Sequence, residues 1–351
     1  NRQDVDDAVA AAHACHTSGA LSTLRPVERS RMVRRMADYL LAHRTEIAEL
    51  LTLESGKPYW EAVIEVEGAA RYFEYYGNQA ETVEGRSIPL GGDYLDFTIY
   101  EPYGVSAQII PWNYPLKMTA RGIAAALTTA NACVVKTPEL DPLTNSYLAH
   151  AAEAAGLPDG ALNILCGNGD EAGAQLAGHA DIGTIVFTGS VETGTKVALA
   201  AAANLKPAIL ELGGKSAAIV MPDADLDVVM ESVRRGIFYN AGQVCSAMSR
   251  LIAHADVHDE LVERSAALAQ SIGITTTELE SVADNVVTTS VQIANLVQTA
   301  DAVVTDTTTS GVQSAAERAA MISSTVTQEL VETIDAAVVS AGSAAAASVD
   351  L

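Results

Sequence analysis

Basic residues are scarce in this 351-residue chain. It carries 21 Lys and Arg against 44 Asp and Glu, a formal net charge of −23. Such a surface repels phosphate backbones and anionic headgroups, which argues against nucleic acid and membrane as partners. Cysteine is scarce too, at Cys15, Cys133, Cys166 and Cys245. These four form no CxxC pair and no metal-ligand spacing, the pattern of reduced thiols in a cytoplasm and not of a disulfide frame. No apolar run approaches the ~20 residues that a bilayer-spanning helix needs. The opening "NRQDVDDAVAAAHACH" lacks the basic and apolar regions of a signal peptide. What remains is the composition of a soluble globular protein, 49% hydrophobic and 19% charged. The length suggests about two domains.

The chain opens in helical rhythm. From residue 25 to about residue 53, Met32, Val33, Met36, Leu40 and Leu41 recur at three-to-four spacing among arginines, which predicts one helix broken by "SGKP" at 55–58. A second amphipathic helix is expected over 59–82. In "RSIPLGGDYLDFTIYEPYG", 86–104, two alternating runs flank Gly91-Gly92-Asp93, a β-hairpin signal. After Gly104 short apolar runs alternate with helical ones. "VSAQII", "ACVVK", "ALNILC", "GTIVFTG" and "PAILEL" read as strands, with "SAAIVM" and "RLIAHA" further on. Such alternation specifies an α/β fold with a Rossmann-like parallel sheet covered on both faces.

Parallel sheets of this kind bind ligands beyond the carboxyl ends of their strands. "PWNYP", Thr137-Pro138-Glu139, "TGS" and "GGK" all occupy such positions. "GNGDEAG", 167–173, offers a GxGxxxG that misses the usual dinucleotide spacing. In "FTGSVETG" a strand ends and a helix begins. The Ser190 hydroxyl with the free helix N–H groups can hold a pyrophosphate, or Ser190 is an ordinary N-cap. Glu211 ends an otherwise apolar strand, where a carboxylate is costly unless it is functional or paired with an Arg or Lys. Asn113, flanked by Pro111 and Pro115, is a candidate oxyanion donor. Cys245 sits among small and polar neighbours in "NAGQVCSAMSR", 240–250, an open setting that suits a nucleophile better than a core thiol.

"PWNYP", "VVKTPE", "FTGSVETG", "LELGGK" and "NAGQVCSAMSR" together resemble, in order and approximate spacing, the aldehyde dehydrogenase superfamily. "ADYLLAHRTEIAELLTLESGKP" is similar to that family's opening helices, and "DYLDFTIYEPYGV" to its oligomerisation hairpin. The resemblance covers about residues 4–274. It implies an NAD-dependent oxidation of an aldehyde to its acid, with NADP as the alternative cofactor. Cys245 is then the nucleophile, Asn113 with the Cys245 N–H the oxyanion hole, and Glu211 the base that activates water. Lys136 and Glu139 would hold the adenosine ribose, with Gly189 and Ser190 on the pyrophosphate. Gly169, Thr193, Ile110 and Trp112 would also border the cofactor, and Leu212 and Gly213 the nicotinamide. It further implies a homodimer or homotetramer acting on a small-molecule aldehyde.

The expected organisation is a NAD-binding domain over 1–210, including the hairpin at 86–103, and an opening part of an incomplete α/β catalytic domain over 211–274. Residues 275–351 change character. Ten acidic residues face one basic residue, Arg318, and Leu279, Val282, Val286, Ile293 and Leu296 fall in a heptad-like run. That segment reads as a divergent acidic tail, helical or disordered. A second functional reading follows from it, a non-catalytic relative that keeps nucleotide binding and associates through this tail.

Overall fold

The computed structural model of the chain describes residues 1–271. The acidic tail expected over 275–351 lies outside the described residues. Internal contacts separate Asn1–Ser216 with Gly236–Ser249 from Ala217–Arg235 with the described residues from Arg250 on.

The first unit begins with four helices, α1 (Arg2–Thr17), α2 (Pro26–Ala42), α3 (Arg44–Ser55) and α4 (Tyr59–Gln79). Asn1 caps α1 by accepting from the N–H groups of Gln3 and Asp4. Val5, Val9, Ala12 and Cys15 form its buried face. The helix expected over 25–53 is in fact two. The backbone leaves helical geometry at His43, with φ −104° and ψ 17°. His43 Nδ1 lies 2.9 Å from the Tyr39 carbonyl, and its ring stacks on the Tyr39 ring at 4.1 Å. A side chain that engages the backbone carbonyl four residues back favours a break over continuation. Left-handed Gly56, φ 70°, then ends α3.

The hairpin follows as β1 (Ser87–Ile88) and β2 (Asp96–Phe97), antiparallel, with Ser87 opposite Phe97. Next come β3 (Val105–Ile109), α5 (Pro115–Thr128), β4 (Ala132–Lys136), α6 (Ser146–Ala155), β5 (Leu162–Leu165), α7 (Ala174–Gly178), β6 (Thr184–Gly189), α8 (Val191–Ala203) and β7 (Ala208–Leu212). The strands form one parallel sheet in the order β5-β4-β3-β6-β7. Every residue of the central strands β3 and β4 is buried, including the polar Ser106 and Gln108, of which Gln108 Nε2 donates to Ser106 Oγ at 2.8 Å, as expected for strands covered on both faces. Helix α5 packs on β3 and β4, α8 on β6 and β7, and α1 on β3, β4 and β5. Gly122 permits the approach of α5. A Cβ there would lie 2.1 Å from Gln108 Oε1.

The chain runs outward from β3 to β4 and β5, then returns to place β6 on the other side of β3. The order therefore reverses between β3 and β6, and a ligand crevice is expected outside their carboxyl ends. The second unit contains β8 (Ala217–Val220) parallel to β9 (Arg250–Ala253), most of α9 (Leu226–Ile237), and α10 (Ala255–Ser271). There Arg264 on α10 meets Asp227 on α9 at 2.5 Å.

Candidate active site

Strand register brings the candidate residues to one edge of the sheet. Ile109 is opposite Lys136 on β4 and Phe187 on β6. Thr188 pairs with Glu211, and Gly189 with Leu212. The segments beginning at Ile110, Thr137, Cys166, Ser190 and Gly213 thus all leave from the carboxyl edge. Those after β3 and β6 flank the point where strand order reverses.

Asn113 lies on the segment after β3. Its Nδ2 donates to the carbonyl of Gln243 at 2.7 Å, two residues before Cys245. No other partner of that amide is found among the described residues, so its second N–H can serve a ligand. The cysteine segment turns through consecutive left-handed residues, Asn240 (φ 50°), Ala241 (φ 54°) and Gly242 (φ 78°). Asn and Gly tolerate this conformation, whereas an alanine there costs about 1–2 kcal/mol. Asn240, 3% exposed, anchors the segment. Its N–H donates to Glu61 Oε2 at 2.8 Å. Its Nδ2 donates to the carbonyls of Asn113 at 3.0 Å and Gln243 at 3.3 Å. Its own carbonyl accepts from the Gln243 backbone N–H and from Gln243 Nε2. Beyond Cys245, the N–H of Ala247 donates to Val244 O at 3.0 Å, and Ala247 is buried. Cys245 is exposed on a segment held at both ends, whereas Cys15 and Cys133 are core residues.

A buried ion pair supports the Asn113 side. Lys57 Nζ pairs with Glu65, each side chain 1% exposed, and also donates to the Asn113 carbonyl at 3.1 Å. The other Glu65 oxygen accepts from the Lys117 N–H at 3.1 Å. The Lys57 ammonium lies 4.5 Å from the centre of the Tyr114 ring. Burial pushes the Tyr114 hydroxyl well above its ordinary value, and Tyr239, Glu65, Glu61 and Cys245 add to that. Burial also raises the Glu61 carboxyl, against the hydrogen bond from Asn240 and the charge of Lys57.

Glu211 is half-exposed at the end of β7, with Arg121 NH1 3.7 Å from its Oε1. The pairing reading of Glu211 thus has a partner, though at a distance long for a hydrogen bond. Gly213 and Gly214 have open space where a Cβ would stand. Leu212 packs over α8, where a Cβ on Gly194 would lie 2.5 Å from Leu212 Cδ2.

Lys136, 3% exposed, pairs with Glu139 at 2.7 Å, and Glu139 Oε1 accepts from the Gly169 N–H. This joins the segments after β4 and β5. Burial alone would raise the Glu139 carboxyl. The Lys136 hydrogen bond, with the backbone N–H groups, outweighs it and holds the carboxyl below its ordinary value. Ser190 is the N-cap of α8, accepting from the Thr193 N–H at 3.1 Å and donating to Thr193 Oγ1 at 3.0 Å. Trp112 is 44% exposed, and the Ile110 N–H donates to Lys136 O.

Sequence reasoning missed Lys57, Glu61, Glu65, Arg121 and Asn240. In the sequence Lys57 stands out only as part of the helix-breaking "SGKP". The visible signal was Glu61 and Glu65, two carboxylates at i, i+4 on a helix whose other buried residues are mainly apolar.

The aldehyde dehydrogenase family profile matches residues 1–341. Aldehyde dehydrogenase family 2 member B4, mitochondrial, of Arabidopsis thaliana is 45% identical over 269 residues, which is 76% of this chain and 50% of that protein. The mitochondrial aldehyde dehydrogenase of Rattus norvegicus is 43% identical over 274 residues, 77% of this chain and 53% of that one. The NAD+ complex of aldehyde dehydrogenase from Bacillus cereus superposes with a TM-score of 0.76 at 38% identity, covering 77% of this chain and 55% of that one. The chain spans about half the length of the curated relatives it matches. With its strand-end residues and cysteine segment in the family's order, the chain belongs to the aldehyde dehydrogenase family.

Proposed function

We propose that this chain carries out NAD-dependent oxidation of an aldehyde to its carboxylic acid, with Cys245 as nucleophile. The observation that carries the reading is the hydrogen bond from Asn113 to Gln243 O, which seats an oxyanion donor against the segment of an exposed thiol. The Cys245 thiolate attacks the aldehyde carbon. The oxyanion that forms takes the remaining Asn113 N–H and the backbone N–H of Cys245, a kind of donor worth roughly 10²–10³ in rate. Bound NAD supplies the acceptor for the hydride that leaves this carbon, and a thioester on Cys245 remains. Glu211 takes a proton from water, which attacks the thioester. The acid leaves and the thiol is restored.

The donor set fits the cofactor. Glu139, kept ionised by Lys136 and the Gly169 N–H, suits a ribose with free hydroxyls and repels a 2′-phosphate, which favours NAD over NADP. Gly189 and Ser190 stand at the N-terminus of α8, whose positive end suits a pyrophosphate. Thr193, Leu212, Gly213, Ile110 and Trp112 border the same crevice. In this reading residues 1–210 hold the cofactor and residues 211–274 open the catalytic part. The β1–β2 hairpin serves association with a second copy. No described helix is long and apolar enough to cross a membrane, and four cysteines without disulfide spacing suit a cytoplasm.

The test is NADH formation across a panel of aldehydes. Cys245→Ala should abolish it. Glu211→Gln should keep a first burst of NADH and lose steady turnover, because the thioester forms but its hydrolysis lacks a base. A protein that binds NAD and reduces none of it with any aldehyde would overturn the reading. Equal loss of burst and turnover in Glu211→Gln would remove Glu211 from the deacylation role.

A further inference from the structure

Strand register fixes the face of the sheet from which Glu211 projects. Gln108 on β3 pairs with Val186 on β6, and Val186 pairs with Ile209 on β7. Paired residues share a face and alternate residues return to it, so Gln108, Val186, Thr188, Ile209 and Glu211 all lie on one face. Helix α5 covers that face over β3 and β4, with Gly122 seated against the Gln108 side chain. Leu212 belongs to the other face, beneath Gly194 of α8. The edge strand β7 is two strands away from β3, and its α5 side is open. Ile209 is 56% exposed there, and the Glu211 side chain is half-exposed.

One side chain of α5 reaches this open edge. Arg121 directly precedes Gly122, the residue that lets α5 lie close to the sheet, and its NH1 stands 3.7 Å from Glu211 Oε1. Neither side chain has another ion-pair or hydrogen-bond partner among the described residues. Gly213 and Gly214, with open space where a Cβ would stand, offer nothing else to hold the carboxylate. The separation exceeds the ~2.7–3.2 Å of an N–H···O bond. The guanidinium therefore draws the carboxylate toward α5 without occupying its lone pairs. A bidentate, hydrogen-bonded pair would tie up both oxygens. A charge contact that confines a carboxylate and leaves its oxygens free suits a group that must accept a proton from water.

We propose that Arg121 is the positioning residue of Glu211, holding its carboxylate where it meets the water that hydrolyses the thioester. The proposal rests on Glu211 as the base of deacylation. In that step water adds to the thioester carbon and gives one proton to Glu211. The C–S bond then breaks, the acid leaves and the sulfur departs as thiolate. Arg121 acts on this step through Glu211 alone, so its loss should be felt in deacylation and not in formation of the thioester. The NADH burst and the steady turnover are measured in the 351-residue chain for Arg121→Met and Arg121→Lys, each alone and combined with Glu211→Gln. Arg121→Met should keep the burst and lower steady turnover roughly fivefold, the weight of one half-exposed charge contact. Arg121→Lys should restore most of it. Combined with Glu211→Gln, Arg121→Met should change nothing further, the non-additivity of two residues that act together.

The contact itself is tested without turnover. Glu211→Cys places a thiol where the carboxylate stood. Iodoacetate and iodoacetamide differ mainly in charge, and their rates at position 211 are read by peptide mass mapping, with exposed Cys166 as reference in the same molecule. The ratio of iodoacetate to iodoacetamide rates at position 211 should be about threefold higher with Arg121 than with Arg121→Met, and the ratio at Cys166 should not move. Three results would each overturn the proposal and leave the catalytic reading standing: steady turnover unchanged in Arg121→Met, a burst that falls in step with turnover, or equal alkylation ratios at position 211. If wild type gives no burst with any aldehyde, or Glu211→Gln loses burst and turnover alike, the catalytic reading fails and this proposal fails with it.

Discussion

Asp141→Asn should stabilise the first unit at neutral pH, and the gain should vanish in acid. Asp141 is 1% exposed on the segment after β4, and its Oδ1 has no hydrogen-bond partner. Burial, then the carboxylates of Glu54 and Glu65, push its carboxyl from 3.8 up to about 8, against Lys57 and one backbone N–H. Glu54 is held in place, since its carboxylate accepts from the N–H groups of Leu143 and Thr144. The folded value is raised, so the folded state holds its proton after the unfolded chain has released it. Stability is then fully present below about pH 4 and is lost as pH rises toward about 8. Each pH step in that window removes ~1.4 kcal/mol, so at pH 7 the ionisable side chain costs on the order of 4 kcal/mol. Asparagine keeps the shape and does not ionise. Trp60 and Trp112 are the chain's two tryptophans and both lie in the first unit, so urea melts followed by tryptophan fluorescence report on it. The difference in stability between variant and wild type should climb with pH between 4.5 and 7.5. A difference that stays flat across that range, or a variant less stable than wild type at pH 7, would refute the reasoning.

Two predictions concern the cysteine segment. Glu61→Gln weakens the charge-assisted bond to the Asn240 N–H and should cost about 1–3 kcal/mol in the same melts. It should also change the alkylation rate at Cys245 while leaving that at Cys166 unaltered, and equal rates at Cys245 in both proteins would count against the tether. Ala241→Gly relieves an exposed left-handed alanine and should stabilise by roughly 1 kcal/mol. A destabilised variant would mean that position 241 is not left-handed.

The sheet was legible because its information is local. Four of the five short β-rich runs precede a turn and a helix and the fifth precedes a glycine turn and another strand, and every one is a strand within a residue or two of its expected ends. The glycine, serine and asparagine positions at their carboxyl ends were legible for the same reason, since a parallel sheet assigns ligand residues by topology. Two things were hidden. One was a competition within a helix. Met36 and Leu40 keep the three-to-four rhythm right up to His43, and nothing in that rhythm reveals that the imidazole engages the Tyr39 carbonyl and ends the helix. The other was long-range. Glu61 and Asn240 are 179 residues apart, and Lys57 and Asn113 are 56 apart, yet their bonds hold the segments that bring the Asn113 amide to Gln243. Periodicity records which face of α4 is buried, but not that two of its buried residues are carboxylates with partners waiting on other segments. A carboxylate on a buried helical face must be paired or lose its charge. Glu61 and Glu65 therefore demanded partners before any partner could be named. Lys57 answers for Glu65, and the strained Asn240–Gly242 turn answers for Glu61. A turn whose alanine costs stability persists only where such bonds over-determine it. It is this turn that holds Cys245 out of the core.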